Sequence, residues 1–225
     1  MIFKGVVTGM LKKLREPVSG LTHLLGSILS IPGLILLIHY ALKQGTPWHV
    51  VSFSIFGASL ILLYTASFLY HTLPLSEKGI RILRKIDHMM IYVLIAGTYT
   101  PICLIPLRGP WGWSLFGVVW GIALTGIILT AFWLDAPRWL TTLIYTIMGW
   151  VVVIAFIPLS KSVSIAGITW LVIGGVVYSI GALIYGLKWP NFTNKWVGFH
   201  EIFHIFVLCG SFAHYWFMFK YVLTI

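Results

Sequence analysis

Residues 200–204 read HEIFH, two histidines four positions apart inside a long apolar run. On a helix, positions i and i+4 share a face, so His200 and His204 can bind one metal ion together. The five letters also fit HExxH, in which zinc peptidases use the glutamate to activate water and take a third ligand from elsewhere. One version of that pattern places the third histidine ten residues after the first. Here Gly210 occupies that position and His214 lies four residues too far along. The peptidase reading is weak, and a third ligand has to come from another part of the chain.

Two acidic residues are out of place in the same sense. Glu16, Glu77 and Asp135 can reach water, whereas Asp87 and Glu201 fall at or inside apolar runs. An acidic group at the centre of a membrane span costs about 2.5–3.5 kcal/mol on insertion scales, so it is a functional candidate. Taken alone, Asp87 fits an interfacial carboxylate paired with Lys85 or Arg84 equally well. A lone histidine in a span is likewise more often an interior hydrogen-bonding group than a ligand. Convergence would change that balance, and it depends on the elements that carry these residues.

The chain has 225 residues, 59% of them hydrophobic and 9% charged, where a soluble domain carries about 25% charged residues. Seven apolar stretches fill it, each near the ~20 residues that cross a bilayer. They run roughly over 20–42, 47–73, 87–107, 111–134, 140–160, 167–187 and 196–219. The runs are continuously apolar, without the alternation of a barrel strand, so the expected fold class is all-α. It is a polytopic membrane protein, residues 1–225 forming a single seven-helix transmembrane domain. The turns are local: Gln44-Gly45-Thr46-Pro47, Gly109-Pro110, Asp135-Ala136-Pro137 and Trp189-Pro190-Asn191. The widest predicted loop is 74–86.

Basic residues set the orientation. With the N-terminus cytoplasmic, the inner side holds Lys4, Lys12, Lys13, Arg15, Lys78, Arg81, Arg84, Lys85, Arg138, Lys188 and Lys195, and the outer side holds Lys43, Arg108, Lys161 and Lys220. That asymmetry predicts a C-terminus outside. The net charge of +10 then points to anionic lipid headgroups and not to nucleic acid. Residues 1–19 form the predicted cytoplasmic N-terminal segment. Its first fifteen residues suit a basic amphipathic helix as well as a plain positive flank, and they do not resemble a cleaved signal peptide, since the apolar run that follows is full length and lacks a clear small-residue cleavage site.

In this frame His71 ends span 2, Asp87 starts span 3, and His200 and His204 start span 7, all in the cytoplasmic leaflet. Three distant segments thus bring metal-ligand residue types to one depth. Ser67 lies one turn before His71, placed to support a ligand or touch a substrate. His23, on the inner half of span 1, is the reserve ligand or supporting residue. His39 and His49 belong at outer, interfacial ends, and His88 points about 100° away from Asp87. His214 is about 15 Å beyond His204 along a straight helix. Cys103 and Cys209 fall inside spans and suggest no disulfide. Tryptophans 48, 111, 113, 139, 189 and 196 sit near span ends as an interfacial belt.

Four motifs read together carry a resemblance: EPVSGLTH at 16–23, SFLYH at 67–71, RKIDHMMIYVLIAGTYTP at 84–101 and HEIFHIFVLCGSFAHY at 200–215. They resemble the hemolysin III family, the bacterial branch of the progestin and adipoQ receptor superfamily, which is distantly similar to alkaline ceramidases. The resemblance implies a multi-pass protein of the bacterial cell membrane with one zinc ion near the cytoplasmic side. It implies His71, His200 and His204 as ligands, Asp87 holding or deprotonating the water, and Ser67 supporting the site. Glu16, His23 and Glu201 remain supporting candidates, and the glutamate is optional in the family's HxxxH.

Three neutral imidazoles leave one zinc position open, which suits catalysis, and a site in one leaflet suits a lipid amide or ester as substrate. The expected activity is a ceramidase-like amidase or esterase. Two further classes stay open: a non-catalytic receptor or regulator of membrane-lipid homeostasis with structural zinc, and, less favoured by a chain so wholly intramembrane, a cytolysin. Membrane lipids are the expected partners. Nothing in the sequence fixes an oligomeric state.

Overall fold

The computed structural model describes residues 14–190 and 197–225. The N-terminal amphipathic expectation and Lys4, Lys12, Lys13, Lys195 and Trp196 lie outside the described residues. Among the described residues there is no strand. The helices are α1 (Pro17–Gln44), α2 (Pro47–Thr72), α3 (Glu77–Leu104), α4 (Pro110–Phe132), α5 (Arg138–Ser162), α6 (Ile165–Leu187) and α7 (Phe199–Val222). All but α3 are long and apolar enough to cross a membrane. Their outward faces carry large apolar side chains such as Phe132, Ile154 and Ile165, as lipid contact requires.

Local chemistry sets the helix starts. Proline opens α1, α2 and α4, where its missing N–H costs nothing. The Ser76 and Ser164 hydroxyls accept the Gly79 and Gly167 amides to start α3 and α6. His49, expected at an interface, is instead buried. Its Nδ1 accepts the Thr46 amide at 3.0 Å and its Nε2 donates to the Val222 carbonyl at 3.2 Å, pinning the start of α2 to the end of α7.

Helix α3 begins ten residues before the expected start of span 3, so most of the predicted 74–86 loop is helical. Its charged first turns look like a loop because they serve neighbours. Arg81 and Arg84 pair with Asp135 at 3.2 and 3.4 Å, and Lys85 Nζ donates to the Ala131 carbonyl near the end of α4. The second half of α3 is the most enclosed stretch, with Tyr92, Leu94 and Ala96–Leu104 buried.

Helix α5 is broken by a 3-10 stretch over Val151–Ala155. Tyr99 of α3 supports the break: its hydroxyl donates to the Gly149 carbonyl at 2.7 Å and accepts the Val152 amide at 2.8 Å. Backbone groups freed by the change of helix type are thereby satisfied. Successive helices pack as neighbours, and α7 closes against α1. Within the ring so formed lies a cavity of about 160 Å³ lined by α2, α3, α5, α6 and α7 and by His23 of α1.

Candidate metal centre

The site sits where the last turn of α2 meets the first turns of α1 and α7. Gly20 permits that approach, because a Cβ there would lie 2.3 Å from Thr72 Cγ2. The carbonyls that α2 leaves unpaired at its end are met from α1's side: Arg15 Nη1 donates to the Tyr70 carbonyl at 3.1 Å, and the Glu16 amide donates to the His71 carbonyl at 3.0 Å. These contacts anchor His71 from its own backbone outward.

Its ring is anchored as well. His71 Nδ1 donates to the Glu16 carboxylate, which fixes the tautomer and leaves Nε2 as a lone pair facing inward. The same bond, assisted by Arg15, holds the Glu16 carboxyl below its usual range. His204 repeats the arrangement with a different partner. Its Nδ1 lies 3.2 Å from the Ser19 carbonyl and 3.2 Å from Thr22 Oγ1, so its Nε2 also faces inward.

His200 completes the cluster, with its Nε2 3.3 Å from His71 Nε2. Candidate donor atoms of His71, His200 and His204 all lie within 4.8 Å of one another. A tetrahedral zinc with Zn–N bonds of about 2.0–2.1 Å has N–N edges of about 3.3–3.4 Å, and the His71–His200 separation fits such an edge. The donor chemistry fits too: three imidazoles, His71 and His204 buried and His200 half-buried, one backed by a carboxylate and one by a carbonyl. These residues could bind a metal ion.

The first turns of α1 supply the surrounding support. Ser19 Oγ donates to Glu201 Oε1 at 2.5 Å, and the Gly198 amide donates to Glu201 Oε2 at 2.8 Å. Glu201 thus caps α7 while tying it to α1, a task its sequence position had not suggested. His23 lies flat against His204, ring centroids 3.6 Å apart and planes 5° from parallel. It is buried and turned to the cavity, outside the three-histidine cluster.

Asp87 and Ser67 are both buried and line that cavity beside His204 and His23. The Ser67 hydroxyl faces the Asp87 carboxyl. His88 reaches the cavity wall too, whereas His39 is exposed. His214 lines the same cavity but stands apart from the cluster, with its Nε2 on the Leu171 carbonyl at 3.1 Å. Sequence reasoning missed Ser19 and Thr22. A signal for Ser19 was present: Glu16, Ser19 and His23 are spaced three and four apart, one helical face.

The fold and cluster define a class: a multi-pass membrane protein with three histidines gathered at one end of a helical ring around a cavity. Residues 11–215 match the profile of the family described as Haemolysin-III related, and the chain belongs to that family. It is 45% identical to the hemolysin-3 homolog of Bacillus subtilis (strain 168) over 198 residues, 88% of this chain and 90% of that one. It is 42% identical to hemolysin-3 of Bacillus cereus over 220 residues, 96% of each. It is 29% identical to an adiponectin receptor protein of Drosophila melanogaster over 223 residues, 86% of this chain but 48% of that one. These likenesses place it in the progestin and adipoQ receptor superfamily, and the Bacillus relatives support a bacterial cell membrane as its location.

Proposed function

We propose that the protein is a zinc-dependent hydrolase acting on a lipid amide or ester from within the membrane. In this reading all seven helices span the bilayer, the N-terminus is cytoplasmic, the C-terminus is outside, and the site opens in the inner leaflet. The observation that carries it is the convergence of three imidazoles, those of His71 and His204 held at their outer nitrogens by Glu16 and Ser19, beside a cavity lined by Asp87 and Ser67. His71, His200 and His204 would hold one zinc ion, which would supply Lewis acidity there. The buried Asp87 carboxylate takes the proton from the attacking water and returns it to the leaving amine or alkoxide. Ser67 orients that carboxylate. The apolar cavity holds the acyl chain and excludes bulk water, which strengthens the polar interactions inside it.

A panel of ceramides, N-acyl amides and phospholipids given to purified protein of full zinc occupancy tests the reading. Hydrolysis of at least one class, lost in Asp87→Asn with zinc retained, is the expected result. No turnover across the panel, with Asp87→Ala supporting normal cellular function, overturns it. The second reading, a receptor or regulator with structural zinc, is favoured by one observation: the cluster joins α2 to α7 where α1 already clamps both. It predicts that His71→Ala abolishes function while Asp87→Asn leaves function intact.

A further inference from the structure

Buried polar atoms without a partner are rare in native proteins, because each gives up hydration without compensation. Among the described residues the side-chain atoms in this condition are His23 Nδ1 and Nε2, Arg138 Nη1, Thr142 Oγ1 and His214 Nδ1. All except the arginine atom belong to residues that line the cavity beside the histidine cluster. Unpaired groups gathered on the wall of a cavity point to its occupant.

They lie at two depths. His23 stacks on His204 beside Asp87, and Thr142 is in the second turn of α5, so both belong to the end near the histidine cluster. His214 is ten residues further along α7, about 15 Å at 1.5 Å per residue. The wall between is largely apolar, with Leu63, Ile91, Leu94, Ile95 and Val207. This pattern matches a chain with a polar head and a second polar group well down its length.

The second group can be specified. His214 Nε2 lies 3.1 Å from the Leu171 carbonyl, and a carbonyl can only accept, so the proton is on Nε2. Nδ1 is therefore a bare acceptor that needs a donor. The nearby donors are engaged elsewhere: the Tyr178 hydroxyl with Ser211 at 2.6 Å, Trp150 Nε1 with Ser179 at 2.9 Å, and the Tyr99 hydroxyl with the Gly149 carbonyl. Room for the ring is reserved by Gly174, where a Cβ would sit 2.2 Å from His214 Cδ2.

We propose that the cavity takes a long-chain lipid bearing a hydroxyl on its acyl chain, the hydroxyl donating to His214 Nδ1 while the head lies against His23 and Asp87. The assignment of the head rests on the lipid reading above. The separation corresponds to on the order of ten to twelve carbons of extended chain, with C–C bonds of about 1.5 Å foreshortened by the zigzag.

The test is equilibrium binding to the full-length protein in nanodiscs. The probes are saturated fatty acids of one length, identical except for a single hydroxyl moved from near the carboxyl to the methyl end, with the unsubstituted acid as reference. Affinity is expected to peak about five- to tenfold above the reference when the hydroxyl reaches the His214 depth. His214→Phe should flatten the profile while holding the unsubstituted acid within about twofold of the original affinity. A flat profile in the unmodified protein, as a water molecule at His214 would give, overturns the proposal, and that measurement needs no variant to fold. A peak that survives in His214→Phe overturns it too. Fatty acids are not hydrolysed, so the outcomes separate: a peak without any lipid hydrolysis removes the hydrolase reading alone, and hydrolysis with a flat profile removes this inference alone.

Discussion

At its start α7 sets His200 and His204 against His71, and ten residues beyond His204 it sets His214 where its one hydrogen-bond partner is a backbone carbonyl. The residue type and the helix are the same at both places, and the surroundings differ. At the first end the chain around the start of α1 brings a carboxylate to the outer nitrogen of His71 and a carbonyl and a hydroxyl to that of His204. The inner nitrogens are left to converge. At the second end only the Leu171 carbonyl arrives, no other imidazole is near, and one bare nitrogen faces a cavity. What neighbouring helices bring to its second nitrogen therefore decides whether a histidine is fit to hold a metal ion or is left with a bare acceptor facing a cavity.

The largest effect that distinguishes the two ends is metal content. On the proposed zinc reading, His204→Ala is expected to reduce zinc from near one ion per chain to background by elemental analysis, whereas His214→Ala should retain it in full. Equal content in all three proteins would erase the difference between the ends. Next in size is turnover. On the hydrolase reading, Asp87→Asn lowers the rate by about 10²–10⁴, the usual contribution of a positioned acid–base group, with zinc unchanged. Simultaneous loss of zinc would show Asp87 to be part of the metal's support and not of the chemistry.

A smaller effect probes the role of α1. Removing a carboxylate that backs a ligating histidine commonly weakens metal affinity about 10- to 100-fold. Glu16→Ala is expected to do so in a competition titration with a chelator. Glu77→Ala, which removes an exposed acid in the first turn of α3, should leave the affinity unchanged. If both behave alike, the Glu16 contact contributes only general charge.

The two ends also differed in how much the sequence could reveal. A polar residue in an apolar run is conspicuous, so His71, Asp87, His200 and His204 stood out, and helix direction set them at one depth. The meeting of the three histidines followed from that. The number of helices followed from the apolar runs in the same way. What supports the cluster was less visible, because its partners are far apart in the chain: Ser19 with Glu201, Glu16 with His71. The early start of α3 was hidden because its charges are explained only by Asp135 and the end of α4. The break in α5 depends on a tyrosine from another helix. His49 looked interfacial because its partner, Val222, is the backbone of the last helix.

The smallest predicted effect concerns the space kept for His214. A Cβ on Gly174 would lie 2.2 Å from Cδ2 and 2.3 Å from Nε2 of a ring already held by the Leu171 carbonyl. The ring cannot step aside without losing that bond, so Gly174→Ala should destabilise by about 1–3 kcal/mol, as overpacking in a filled interior does. Gly121 of α4 offers the contrast, since a Cβ there meets nothing within 4 Å on an exposed face. Gly121→Ala should be neutral, or stabilising by up to about 1 kcal/mol through helix propensity. Thermal unfolding of the two variants in the same detergent reads the difference. If Gly174→Ala unfolds no earlier than Gly121→Ala, His214 has freedom to move, and the fixed acceptor at that depth is lost with it.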